Sequence, residues 1–167
     1  TSARSSNLVV SNRANIELAH SLRKDNKLDE AKRIYDSIAK KDSADDTSRA
    51  GAYLGLGGVL MQAGTKEDAK QALLYFLRVR LETRDAWPSL QAEALFSSIA
   101  AARKWGGPEY LYIIGRCRGV LFSEFKTGAD VIRQIMQEHG DVAMLRLSDP
   151  DETWFLSQFK SIGKPAS

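Results

Sequence analysis

Apolar residues recur at intervals of three and four along most of this chain of 167 residues, and short polar breaks separate the periodic segments. Segment 28–40 shows the pattern most clearly, with apolar side chains at Ala31, Ile34, Tyr35 and Ile38. This spacing places them on one face of an α-helix, where they can be buried together. Runs that alternate between apolar and polar residues, as a half-buried strand requires, are scarce. We therefore expect an all-α protein.

Capping and helix-breaking residues set the expected helix limits. Thr65 followed by Asp68 is typical of a helix start, because each side chain can cap a backbone N–H of the first turn. Gly64, and further on Gly107 with Pro108, are typical of helix ends and new starts. We expect helices over about 12–24, 28–40, 49–62, 65–81 and 86–105, with more after 108, to give about eight in all.

Composition and motifs exclude several classes of function. The chain has 24 Lys and Arg against 21 Asp and Glu. This small excess of positive charge falls well short of the dense basic stripe that nucleic acid binding usually needs. One cysteine excludes an internal disulfide, and with two histidines it is too little for a structural zinc site without carboxylates. The chain carries no recognisable phosphate loop or catalytic constellation, so we expect no catalytic residue, cofactor or metal. No apolar run is long enough for a membrane span.

Two segments of the chain share the same internal spacing. The first-helix positions are Asn15, Leu18, Ala19 and Leu22 in one segment and Tyr53, Leu56, Gly57 and Leu60 in the other. The second-helix positions are Ala31 and Tyr35 in the first segment and Ala69 and Leu73 in the other. Asn26 and Gly64 fall at the same place between the two helices, and both residue types tolerate a left-handed backbone. The pattern describes a repeated helical hairpin.

This spacing resembles the tetratricopeptide repeat (TPR), a helix-turn-helix unit of about 34 residues. The clear resemblance covers about 12–81, and a degenerate third unit, reaching to about 124, aligns over Phe96, Ile99, Ala100, Gly107 and Tyr112. The resemblance implies a right-handed stack of antiparallel helix pairs, with small residues where helices cross closely. On this basis we expect a flexible segment over 1–11, a TPR-like domain over 12–125, and capping helices with a tail over 126–167.

In this family the first helix of each pair lines a concave groove. The family's groove positions map onto Arg13, Ile16, His20, Arg23 and Lys24 in the first unit, and onto Gly51, Leu54, Gly58, Met61 and Gln62 in the second. The resemblance thus implies a non-catalytic scaffold or adaptor that binds a partner peptide or helix, with one basic stretch of groove and one shallow, glycine-floored stretch. The alternative is a solvated basic helix face.

Gly51, Gly55 and Gly58 lie at intervals of four and three residues, so they share one helix face. A face without side chains lets another helix or a ligand come close to the backbone. Close helix packing is the interpretation that this spacing favours.

Other functions and settings stay open. Arginines near aromatic residues, such as Arg78 and Arg80 with Trp87, suit single-stranded nucleic acid as well as a protein partner, although neighbouring acidic residues disfavour nucleic acid. Self-association, as a homo-oligomer, is another alternative. The strongly apolar segment near the end of the chain is expected to cap the stack. It could instead occupy the groove in place of a partner, or pair two copies, through Trp154, Phe155, Phe159 and Ile162. The Ser-rich start without Met favours a bacterial envelope protein, periplasmic or membrane-tethered, over a cytoplasmic one.

Overall fold

The computed structural model of this protein describes residues 2–107. The helices in this part of the chain are α1 (Ser2–Lys24), α2 (Leu28–Ala39), α3 (Asp46–Ala63), α4 (Lys66–Glu82) and α5 (Pro88–Trp105). The all-α expectation is confirmed over these residues, which contain no strand. The helices expected after 108, the C-terminal cap and the later positions of the third unit lie outside the described residues.

Left-handed residues end three of the helices. Asn26 follows α1 with φ 60°, Gly64 follows α3 with φ 93°, and Gly106 follows α5 with φ 63°. Such a residue turns the chain away while its N–H still bonds to a carbonyl of the last turn. Asn26 and Gly64, which the sequence places at equivalent positions, therefore have equivalent backbones. In the third unit the left-handed residue is Gly106, one position before the Gly107 of the aligned pattern.

Side-chain caps begin α3 and α4. The Asp45 carboxylate accepts a hydrogen bond from the backbone N–H of Ser48 at 3.1 Å, so α3 starts earlier than the expected position near Arg49. At α4 the Thr65 hydroxyl accepts from the Asp68 N–H at 3.0 Å, and the Asp68 carboxylate accepts from the Thr65 N–H at 3.2 Å. This reciprocal pair is the capping box expected there.

Helix α1 begins at Ser2, well before the start expected near Asn12. The sequence pattern places 1–11 outside the fold because this segment has no obvious packing face, but residues 2–11 continue the helix. Neither glycine nor proline interrupts them, so nothing stops the helix from extending backwards. Side chains 3–7 are exposed, while Leu8 and Val9 are half-buried. The extension therefore adds little to the core.

Helix α3 lies at the centre of the described fold. Each helix packs on the next one in sequence, and α3 also packs on α1 and on α5. Every residue from Ala50 to Gly57 is buried as a result. One core cluster, around Tyr35 and Leu56, joins α1, α2 and α3; another, around Phe76 and Ile99, joins α3, α4 and α5. Helices α1, α3 and α5 therefore lie side by side, and their shared surface is called the groove face below.

Small residues permit these close contacts. The small residues expected at helix crossings are all buried, at Ala19, Ala31, Gly57 and Ala69. The ring of Phe76 lies so close to Gly57 that a Cβ there would overlap it, and the ring of Tyr35 lies on Gly55 in the same way. Aromatic rings from α2 and α4 thus rest directly on the α3 backbone.

Changing Gly57 to Ala should lower the free energy of unfolding by about 1–3 kcal/mol, because the added methyl group displaces the Phe76 ring. At an unconstrained helix position the same change raises stability by about 1 kcal/mol. The sign of the stability change therefore shows whether Gly57 is in close contact with a neighbouring side chain. Urea unfolding followed by circular dichroism measures the difference. Ser21→Ala, on the exposed face of α1, is the control and should change stability by at most about 0.5 kcal/mol. Unchanged or increased stability of Gly57→Ala would contradict the close contact between α3 and α4.

Candidate binding groove

The expected groove residues lie on two neighbouring helices. On α1, Ile16 is buried, Arg13, His20 and Arg23 are half-buried, and Lys24 is exposed. On α3, Leu54 is buried, Gly58 and Met61 are half-buried, and Gln62 is exposed. Accessibility thus increases toward the C-terminal ends of both helices, where a partner could reach the side chains.

Helix α1 covers the glycine side of α3. A Cβ at Gly51 would lie 3.1 Å from Cδ1 of Ile16. The guanidinium of Arg23 occupies the space that a Cβ at Gly58 would need. The Gln62 side-chain amide donates to the Arg23 carbonyl at 3.4 Å. Helix α1 therefore covers Gly51 and Gly58. These glycines allow the two helices to pack closely and do not form an open floor for a ligand.

A hydrogen bond joins His20, at the groove face, to a buried tyrosine. Nδ1 of His20 lies 2.5 Å from the hydroxyl oxygen of Tyr35. Burial, together with the charge of Arg23, lowers the pKa of His20 below its ordinary value. The carboxylates of Glu17 and Glu93 oppose this shift without reversing it. Burial raises the pKa of Tyr35 to about 12, so the hydroxyl stays protonated at neutral pH. The tautomer of the neutral imidazole determines which of the two groups donates this hydrogen bond.

Arg13 joins α1 to the starts of α3 and α5. Its guanidinium lies 3.6 Å from the Asp45 carboxylate and 4.6 Å from the centre of the Trp87 ring. Burial alone would raise the pKa of Asp45, but hydrogen bonding by Ser48 and the charge of Arg13 outweigh it and hold the pKa below its usual value. Arg13 is therefore engaged within the fold, and spacing along the sequence gives no signal for its partner Trp87.

Helix α5 supplies a side of the groove face that the sequence mapping does not include. The ammonium of Lys104 donates to the Met61 carbonyl at 3.5 Å. Leu54 and Met61 both pack with the core cluster that α3 shares with α5. Extending the sequence-based groove mapping to the expected third unit would identify this side, because the alignment makes α5 the first helix of that unit.

Buried polar atoms without hydrogen-bond partners gather where α1 meets the start of α3. Within residues 2–107 they are Asn12 Nδ2, Arg13 Nε, Asp45 Oδ1, Ser48 Oγ and Arg49 Nε. Asn12 and Ser48 are completely buried, with 0% of each residue exposed. Helix periodicity gives no signal for Asn12, because a buried polar residue interrupts an apolar stripe instead of extending it.

The described residues were compared with what a metal site and a membrane-spanning helix require. Within residues 2–107 no three His, Cys, Asp or Glu side chains come together in a way that could hold a metal ion. None of α1 to α5 combines the length and the hydropathy needed to cross a bilayer. Comparisons of the chain with protein-family models, curated proteins and solved structures found no match. Function is therefore inferred from the residues and their contacts.

The His20 and Tyr35 pair should make stability depend on pH. The folded protein holds the pKa of His20 below 6.5, so the unfolded chain binds this proton more tightly. The contribution of His20 is therefore fully present above pH 6.5 and is lost as the pH falls through the lowered pKa. Urea unfolding at about pH 7.5 and about pH 5 compares stability above pH 6.5 with stability below it. His20→Asn should lose less stability between these pH values than the unmodified chain, and an equal loss would show that another group titrates.

Proposed function

We propose that this chain is a non-catalytic scaffold of the tetratricopeptide-repeat type that binds another protein on the groove face. The observation that carries the proposal is the packing of α3 against both α1 and α5. In a stack of helix pairs, the first helices of neighbouring pairs lie side by side and form a continuous surface. The left-handed Asn26 and Gly64 recur after these first helices, and the buried Ala31 and Ala69 recur in the second helices. Both recurrences support the proposal.

The chemistry of the groove face favours an acidic peptide or helix as the partner. The bonds from Gln62 to Arg23 and from Lys104 to Met61 bring the C-terminal ends of α1, α3 and α5 together. Lys24 and Lys104 are both exposed there, on the two helices that flank α3. The half-buried Met61 between them offers a flexible apolar contact. This arrangement suits a segment that carries acidic side chains around one apolar residue.

The groove face is already formed in the absence of a partner. The guanidinium of Arg23 already lies on Gly58, so it adds positive charge near the C-terminal ends of α1 and α3 from a fixed position. Arg13 is paired with Asp45 and holds α1 against the starts of α3 and α5. Helices that pack on one another lose little further freedom when a ligand binds. Affinity then comes from matched charge and apolar contact, and the groove face needs no chemical step to perform its role.

The proposal is tested by selecting peptides from a displayed random library on the chain and measuring the affinity of the selected peptides by fluorescence anisotropy. We expect acidic sequences to be enriched. The double variant Lys24→Glu with Lys104→Glu should bind them about tenfold more weakly or worse, because it replaces two attractive charges by two repulsive ones.

Lys32→Glu with Lys40→Glu is the matched control. These lysines are exposed on α2 and at its end, and the pair changes the net charge by the same amount. The control should bind within about twofold of the unmodified chain, since it leaves the groove face unaltered. Equal weakening by the two double variants, or selection of peptides without acidic residues, would contradict the proposal.

A further inference from the structure

A crevice between α1 and α2 carries a second set of polar side chains, distinct from the groove residues. Its volume is about 240 Å³, and it is lined by Asn15, Arg33, Ile34, Ser37, Ile38 and Lys41. Asn15 comes from α1, Lys41 follows the end of α2, and the others belong to α2. A space of this size suits a small charged group with a few carbon atoms, since pockets for larger ligands start at about 300 Å³.

The lining of the crevice is positive and rich in hydrogen-bond donors. Arg33 and Lys41 are cations, and none of the lining residues is acidic. The side chains of Asn15 and Ser37 can donate further hydrogen bonds. Within residues 2–107 the ion pairs involve other residues and leave Arg33 without a carboxylate partner. Two cations that line one cavity repel each other. An anion bound between them would be attracted to both and would offset this repulsion.

Lys41 is held in place independently of any ligand. Its ammonium donates to Oδ1 of Asn12 at 3.5 Å, and its backbone carbonyl accepts from Nη2 of Arg49 at 2.6 Å. Asn12 is completely buried, so it offers a fixed acceptor. An ammonium group has three donors, and Asn12 uses one of them. A ligand therefore meets an ordered lysine, which lowers the entropy lost on binding.

The dipole of α2 explains a cation near its end but does not explain Arg33. Cations are favoured in the last turn of any helix, whether or not a ligand binds there. Arg33 lies in the middle of α2, and the favourable interaction of a cation with the helix dipole does not extend that far from the last turn. The crevice also contains Ile34, which is half-buried, and Ile38, which is 1% exposed. Cations beside an apolar floor suit an anion that also carries an apolar part.

We propose that this crevice binds a small carboxylate with a short apolar chain. The carboxylate lies between Arg33 and Lys41, and the chain lies against Ile34. A guanidinium can bind a carboxylate through two parallel hydrogen bonds, which gives the contact its direction. A bare phosphate would leave the isoleucine floor unused. The site lies outside the groove residues and does not depend on the scaffold function.

Titration of the full chain with isovalerate, followed by 1H–15N NMR, tests this proposal. We expect saturable shifts at the amides of Ser37 and Lys41, with a dissociation constant of about 1 mM. Isovaleramide has the same shape without the charge, and it should cause no saturable shift. Arg33→Gln should weaken isovalerate binding by about tenfold, because a charge-assisted hydrogen bond is lost. Arg33 is exposed, so this variant should keep the fold, and its NMR spectrum checks that it does.

Lys32→Gln is the matched control for the loss of one charge. Lys32 is the exposed neighbour of Arg33 on α2 and does not line the crevice. It should bind isovalerate within about twofold of the unmodified chain. Equal binding of isovaleramide, or equal weakening by Arg33→Gln and Lys32→Gln, would overturn the proposal. Saturable shifts with inorganic phosphate at the same amides, with none from isovalerate, would overturn the choice of a carboxylate.

Discussion

Helix α3 packs against each of the other four described helices, and this constraint governs the rest of the structure. A helix with this many neighbours needs small residues where the neighbours approach, since bulky side chains would push the helix axes apart. Gly55 under Tyr35 and Gly57 under Phe76 meet this need toward α2 and toward α4. Each glycine costs about 1 kcal/mol of helix propensity relative to alanine. Burial of an aromatic ring against it more than offsets that loss, because such a ring contributes about 1.5–3 kcal/mol.

The helix ends could be predicted from the sequence because local chemistry determines them. Gly64 and the capping box at Thr65 act within a few residues of each other, so the boundary between α3 and α4 follows from the sequence alone. The start of α1 could not be found in the same way. It was expected where the apolar periodicity begins, whereas a helix continues through exposed residues until something breaks it, and segment 2–11 contains no breaker. The periodicity predicts which face is buried, and the breakers predict where a helix stops.

The groove residues could be assigned to their helices from the repeat spacing, but their roles depend on contacts between distant parts of the chain. The spacing places Gly58 on the floor of a groove, and the structure places Arg23 over it. The spacing likewise predicts that Arg13 contacts a partner, whereas its guanidinium already lies over the ring of Trp87 at the start of α5. A long cationic side chain can reach several neighbours, and its distance along the chain does not show which one it contacts. Lys24, at the end of its helix and exposed, is the groove residue whose role the spacing predicts most directly.

Asn12 connects residues of the two proposed sites, so coupling between these sites has to be considered. Its neighbour Arg13 belongs to the groove residues, and its own side chain accepts a hydrogen bond from Lys41 in the crevice. Coupling between two sites requires an element with two arrangements whose balance both ligands shift. A carboxylate in the crevice does not create such a choice, because Lys41 can donate to it and to Asn12 at the same time. We therefore expect the buried amide of Asn12 to keep its position when the crevice is filled, and the two sites to bind their ligands independently.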